Sequence, residues 1–484
     1  MSAVTAVPTR RMPAGLARLD WLRERGMGAT ILVAAISTAF GVLLISATGY
    51  IGAQLQAIPF YGSSDTLALI IGMLGMLLLA VAIYVAAIVT ANTFSTIVAG
   101  RTRRIALMRL IGASARGQRA EVARQGLTVG ALGALLGLIG GTVIMLASVP
   151  LLDRLTMGAP YTVVQPALLA PAVAVTLTTW AAAWAGSRRV LGVTPLQALG
   201  GSVEQTHEDV VRRPGRNIAT VVLGVIGVAL LVGGILLGMV VPLGVIVAFL
   251  GGLFSFTALV LAAPAVMPPL LRLTGRMFGR SATARLAAQN ALRYPERSSR
   301  MAIGVVMGVA LVTMFAVAAE SVKVLVTASG GGAPDPAFEQ MIDSFAAVMM
   351  ALVAVSAVIA AVGLVNLLTI GVVQRRRELG LLRALGLTAA QVRRMVLLEA
   401  AHVTITALLF GLVLGTAYGW IGAQSLLGSV PMPPAWSAPT FVAPGVPWLT
   451  VGVVVAATAA LTLLAAVVPT RLAPRVAPVE ALAE

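Results

Sequence analysis

Few side chains in this 484-residue sequence are of the types that do chemistry, and their spacing excludes more than it offers. Nucleotide hydrolysis on a phosphate loop needs a lysine directly after glycine to hold the β- and γ-phosphates. The one lysine, Lys323, follows Ser321 and Val322, so the chain cannot hydrolyse ATP by that route. His207 and His402 are the only histidines, and His207-Glu208 lacks the second histidine of a zinc-protease helix. Cysteine is absent, which excludes thiolate-held metals, redox centres and a disulfide-stapled secreted fold. No Gly-x-Ser-x-Gly motif and no pair of intramembrane aspartates occurs. The chain is expected to be no enzyme and to hold no metal or cofactor of its own.

What remains is a cluster of arginine, glycine and a hydroxyl that occurs twice. At a fixed offset of 274 residues Asn92 falls on Asn366, Arg101 on Arg375, Arg103 on Arg377, Leu107 on Leu381 and Arg109 on Arg383. The register continues through Gly112 and Gly386, Ala115 and Ala389, Arg119 and Arg393, then Gly137/Gly141 and Gly411/Gly415. A second echo, Pro195–Leu199 and Pro478–Leu482, closes each half. Arg383 and Gly386 are expected to end one helix, glycine being a good left-handed terminator. Thr388 can then cap a short helix from Ala389 to Arg394 onward, and Ser114 takes that place before Ala115–Arg124. A capped turn is not something membrane topology alone requires, so its natural use is to dock a cytoplasmic protein.

The elements that must carry these turns are membrane helices. Hydrophobic residues make up 59% of the chain and charged ones 11%, with a mean hydropathy of +0.97. A soluble domain carries about 25% charged residues. The net charge of +17 could suggest nucleic acid, but it is interleaved with long apolar runs. No nucleic-acid partner is expected. A span needs about 20 apolar residues, and ten such stretches occur: about 28–52, 66–98, 126–150, 167–186, 217–240, 243–267, 301–325, 342–373, 396–424 and 446–469. Segments 1–27, 99–125, 187–216, 268–300, 374–395 and 470–484 hold every arginine but Arg154. By the positive-inside rule these segments, including both termini, are cytoplasmic. The first span lacks a small-residue cleavage site behind a short apolar core and is expected to be a retained anchor. Ala14–Arg25 and Thr283–Arg293 read as amphipathic helices on the inner membrane face. The expected fold is all-α and polytopic, with an N-terminal segment 1–27, a four-span unit at 28–201, a linker and two-span hairpin at 202–282, and a second four-span unit at 283–484. Each unit starts and ends inside, so the two would be parallel, and duplicated architectures place the working site between repeats.

The run Arg375-Arg-Arg-Glu-Leu-Gly-Leu-Leu-Arg-Ala-Leu-Gly-Leu-Thr388, followed by Glu399, resembles the FtsX-like (MacB-type) permease domain of ABC transporters. So do Asn290-Ala-Leu-Arg293 with Arg300 and the terminal Pro-x-x-Ala-Leu. Two such halves around a central pair of spans resemble the ten-span BceB-like permeases of peptide-antibiotic resistance. The resemblance implies a bacterial cell-membrane subunit coupled to a separate cytoplasmic ATPase, itself a dimer, which binds ATP and Mg²⁺. It implies coupling contacts at Arg109, Gly112, Ser114, Arg116 and Arg119, and at Glu378, Arg383, Gly386, Thr388, Gln391 and Arg393. In the first half Arg104 stands in place of Glu378 and Gln125 opposite Glu399, which argues against equal coupling by the two halves.

The glycine pairs Gly137/Gly141, Gly234/Gly238 and Gly411/Gly415 have the spacing of helix packing faces in lipid. Glu320 and Lys323, three apart, are expected to pair, with Asp343 joining them on the outer face. Glu399 and His402 are expected to snorkel or to touch the turn. The outer side carries Asp65, Asp153, Glu320, Asp335, Glu339 and Asp343, a weak attraction for a cationic peptide. The family's large extracytoplasmic domain has no room in the loops 51–65 and 326–344. Export or membrane extraction of an amphipathic substrate, a peptide antibiotic or a lipid or lipoprotein, is the leading expectation. The alternative is a non-transporting mechanotransmitter that regulates a cell-wall hydrolase or a sensor kinase.

Overall fold

The computed structural model describes residues 27–57, scattered positions between 72 and 88, and 114–154, 160–187, 214–276, 281–329, 381–431 and 441–472, apart from 294 and 382. Among them every regular element is a helix. In chain order these are α1 (Met27–Gln56), α2 (Ala115–Leu152), a 3₁₀ turn Pro166–Leu168, α3 (Leu169–Gly186), α4 (Pro214–Gly238), α5 (Gly244–Gly275), α6 (Ala282–Arg293), α7 (Pro295–Ser329), α8 (Ala389–Leu427) and α9 (Trp448–Leu472). Seven described helices are long and apolar enough to cross a bilayer: α1 to α5, α7 and α8. α9 contributes a shorter apolar stretch, Trp448–Leu464. The expected spans at 342–373 and, for the most part, at 66–98 lie outside the described residues, as does the amphipathic segment Ala14–Arg25.

Two parallel helix pairs organise the bundle, α1 with α2 and α7 with α8, contacts advancing in the same direction along both members of each pair. Both are brought close by glycine. A Cβ at Gly137 would fall on the carbonyl of Ala35, and one at Gly141 would lie 3.1 Å from the backbone of Ala39. In the other pair, Gly411 lies against Val306 and Val309, and Gly415 against Ala310 and Thr313. Ala35 and Val309, like Ala39 and Thr313, are themselves 274 residues apart. With little hydrophobic drive between helices in lipid, contact of this kind is what holds them.

The hairpin α4–α5 is sealed by Gly234 against Ala248, while Gly238 abuts the backbone of Ser425 on α8. One apolar core joins α5, α6, α7, α8 and α9 around Met267, Leu271, Met301, Val306, Val403 and Ala407. A second joins the halves, with Val33, Phe40 and Leu44 of α1 meeting Val81, Phe256 of α5 and Met307 of α7.

Two expectations need correction. α8 does not start as a separate short helix that ends before a span. It is one 39-residue helix, as α2 is one of 38. The arginines that suggested a boundary are good helix formers, and no glycine or proline interrupts Ala389–Glu399. At 1.5 Å per residue these helices run to about 58 and 57 Å, well beyond an apolar core of about 30 Å. α6, read as lying on the membrane, buries Ala287 against Val392, Met395 and Val396 of α8. Its apolar face is occupied by protein.

Candidate functional site: the capped turns before α2 and α8

The turn in the second half is built by local chemistry. Leu385 N donates to Leu381 O at 2.9 Å and Gly386 N to Arg383 O at 3.0 Å, which closes the preceding helical turn. Gly386 then takes φ +104°, a left-handed conformation that costs side-chain-bearing residues about 1–2 kcal/mol. Thr388 adopts an extended backbone and its hydroxyl accepts from Gln391 N at 3.3 Å. Gln391 returns the bond, its Oε1 accepting from Thr388 N at 2.8 Å. This reciprocal capping box satisfies two donors that a helix start leaves open. Leu387 packs inward onto the α6–α8 cluster. Leu381 and Leu385 point outward, 49% and 73% exposed. Arg393 and Arg394 are exposed one turn further on.

Below the turn α8 is tied to α5. His402 is 1% exposed and its Nε2 donates to the Leu271 carbonyl at 2.9 Å, with Thr274 Oγ1 at 3.1 Å. Thr274 and Thr406 hydroxyls meet at 2.6 Å, and Thr406 donates to His402 O. Further along, Tyr418 and Ser255 share a hydrogen bond of 2.8 Å. Glu399 and His402 are therefore buried in protein and do not snorkel, and α5 covers His402 through Leu271 and Thr274.

The first half starts α2 in the same way but more simply. Ser114 Oγ accepts from Gly117 N at 3.0 Å. Gly117 occupies the place that Gln391 holds in the other turn, so no side chain returns the bond. Arg116 is exposed, whereas Arg119 turns back and stacks on Trp184 of α3, 4.0 Å from the ring centre.

Of the residues expected to couple, the structure brings Arg383, Gly386, Thr388, Gln391 and Arg393 into one turn, and Ser114, Arg116 and Arg119 onto the first turns of α2. Gln391 is engaged in the cap and Arg119 with Trp184. Arg109, Gly112, Glu378 and Asp343 lie outside the described residues. Glu320 and Lys323 sit half-exposed near the end of α7, where Gly445 abuts the backbone of Glu320 and Ser321. Leu381 and Leu385 were missed by attention to charge. Their signal was available, since leucines beside a turn that faces away from the bilayer have no lipid to cover them.

A bundle of long apolar helices, two of them started by capped turns and close-packed by glycine, is the architecture of a polytopic membrane protein. The sequence model described as "FtsX-like permease C-terminal" matches residues 76–195 and 350–478, together just over half of the chain. The chain belongs to the FtsX-like permease family. It is also 32% identical over 65 residues to "ABC transporter permease YtrF" of Bacillus subtilis (strain 168), a stretch covering 13% of this chain and 14% of that relative.

Proposed function

We propose that this chain is the membrane subunit of an ABC transporter of ten spans, arranged as two parallel four-span repeats around the α4–α5 hairpin in the manner of the BceB-like permeases. It sits in a bacterial cell membrane with both termini inside. A separate ATPase dimer holds ATP and Mg²⁺ and docks on the two turns, so one copy of the chain serves both ATPase subunits. The substrate is an amphipathic molecule, a peptide antibiotic or a lipid, moved out of the membrane.

The observation that carries this reading is the union of a capped turn and a span in one unbroken helix. From the cap at Thr388 onward, a push on the turn meets no break in α8 before it reaches Gly411 and Gly415, where α8 is wedged on α7. The same helix carries His402 and Tyr418 against α5, which supports a hairpin that follows it. Exposed leucines give the turn an apolar knob, and Arg393 and Arg394 flank it with positive charge.

Co-purification with a cytoplasmic ABC ATPase from the same cell tests the reading. Leu385→Asp with Gly386→Val is expected to release the ATPase while the protein remains in the membrane fraction. Retention of the ATPase by that variant would overturn the docking role. In proteoliposomes of the complex, amphipathic peptides are expected to raise ATPase turnover. A complex indifferent to every amphipathic substrate, but responsive to a hydrolase or a sensor kinase, would replace transport by mechanotransmission.

A further inference from the structure

The first-half helices enclose a feature that begins beside the proposed docking turn and extends away from it. Between the inner ends of α2 and α3 runs a groove of about 420 Å³ lined by Arg116, Arg119, Arg124, Leu127, Trp180 and Trp184. Nε and Nη2 of Arg119 are shut off from solvent and, among the described residues, have no hydrogen-bond partner. A buried guanidinium left in that state is costly unless an acceptor completes it. Arg124 is paired with Glu121 at 2.6 Å, and among the described residues no carboxylate lines the groove, so the lining is net positive.

We propose that this groove binds an anionic phospholipid, with the headgroup phosphate between Arg116 and Arg119 and an acyl chain laid along Trp180 and Leu127. Three observations choose a lipid over a protein. Leu127, Trp180 and Trp184 fall at the ends of the apolar stretches 126–150 and 167–186, at the depth where headgroups give way to acyl chains. From Arg116 to Leu127 the groove runs about 16 Å along the helix axis, the distance from phosphate depth into the acyl region. Beyond Leu127, α2 exposes further apolar surface at Leu132, Leu135 and Leu136. Arginines and tryptophans at the positive-inside end of spans are the groups that take anionic headgroups.

The test uses the full chain in detergent, offered equimolar phosphatidylglycerol and phosphatidylcholine and read by native mass spectrometry. Wild type is expected to retain phosphatidylglycerol with roughly tenfold preference, as two arginines near the headgroup plane imply. Arg116→Gln with Arg119→Gln should abolish the preference. Arg272→Gln with Arg276→Gln, which removes two exposed arginines from the inner end of α5, should leave it intact. Loss of preference in both double variants would reduce the effect to general charge and overturn the site. So would full displacement of the lipid by inorganic phosphate. Retained preference in Arg116→Gln/Arg119→Gln, accompanied by loss of the ATPase, would assign the groove to a protein. A second measurement does not depend on those variants folding: brominated phosphatidylglycerol should quench tryptophan fluorescence more than brominated phosphatidylcholine. Trp180→Phe with Trp184→Phe should remove that difference, and equal quenching by the two lipids in wild type would also overturn the proposal.

Discussion

α2 and α8 begin at residues 274 apart, start with the same kind of cap and press glycines onto the preceding helix at corresponding positions, yet they live in different surroundings. In the most apolar stretch of each, 17% of α2 is buried inside the protein against 56% of α8. The difference is the α4–α5 hairpin, which leans on α8. Where it does so α8 carries His402, Thr406, Tyr418 and Ser425. The positions 274 residues earlier on α2 are Thr128, Leu132, Ile144 and Leu151, all exposed. Polar groups at membrane depth occur where a protein neighbour satisfies them, and apolar ones where lipid is the neighbour. One helix design therefore sits in two settings: among the described residues, α8 packs on the hairpin as well as on α7, whereas α2 packs on α1 and α3.

The sharpest way to break the shared part of that comparison is to crowd the glycine contacts. Gly137→Leu places a side chain on the Ala35 carbonyl, and Gly411→Leu places one on Val309. Each is expected to lose about 3 kcal/mol or more, since overpacking of backbone contacts has no cheap relief. Gly140→Leu, on an open face of α2 with nothing nearby, should be close to neutral. Unfolding midpoints in a denaturing detergent series would measure all three. Equal tolerance at 137 and 140 would show that α1 and α2 are not in close contact.

Next in size is the part that distinguishes the halves. His402→Ala strands the Thr274–Thr406 pair and removes a bond to Leu271, all of it buried. The expected cost is about 2 kcal/mol. Thr128→Ala, at the corresponding place on α2, removes only bonds from an exposed hydroxyl to Arg124 O and Gln125 O of its own helix, and should cost about 0.5 kcal/mol or less. Tyr418→Phe, which deletes the bond to Ser255, falls between at about 1 kcal/mol. A Thr128 variant as damaging as the His402 variant would mean that something besides lipid covers α2.

These contrasts mark where the sequence was legible. Spans could be read because about 20 apolar residues admit few other structures. Gly386 and Thr388 could be read because left-handed turns and N-caps each select few residue types. The side on which the hairpin packs could not, since α4 and α5 are apolar around most of their surface and fit either half equally well. The clue lay in the polar residues of α8: His402 and Thr406 at membrane depth demanded a protein neighbour. The expectation of snorkelling discarded that clue by assuming water was within reach. The stacking of Arg119 on Trp184 was illegible for another reason, as it joins residues 65 positions apart with no periodic pattern to link them.

The smallest predicted effect is also the most discriminating for the turns. Both caps have a hydroxyl at N-cap, but only Thr388 is answered from N3, by Gln391. Thr388→Ala is expected to cost about 1 kcal/mol, and Ser114→Ala the same for the bond to Gly117 N. Gln391→Ala isolates the second half of the box and should cost about 0.5 kcal/mol. Gly117→Gln should recover a similar amount by completing a box at the first turn, where an added Cβ meets only the Ser114 hydroxyl at 3.0 Å. Amide exchange over residues 114–120 and 388–394 would report the four variants separately from global unfolding. Slower exchange at 114–120 in Gly117→Gln would show that the two turns differ in stability through this one side chain. Unchanged exchange there would trace the difference to α6, which braces α8 through Ala287 at Val392 and Met395.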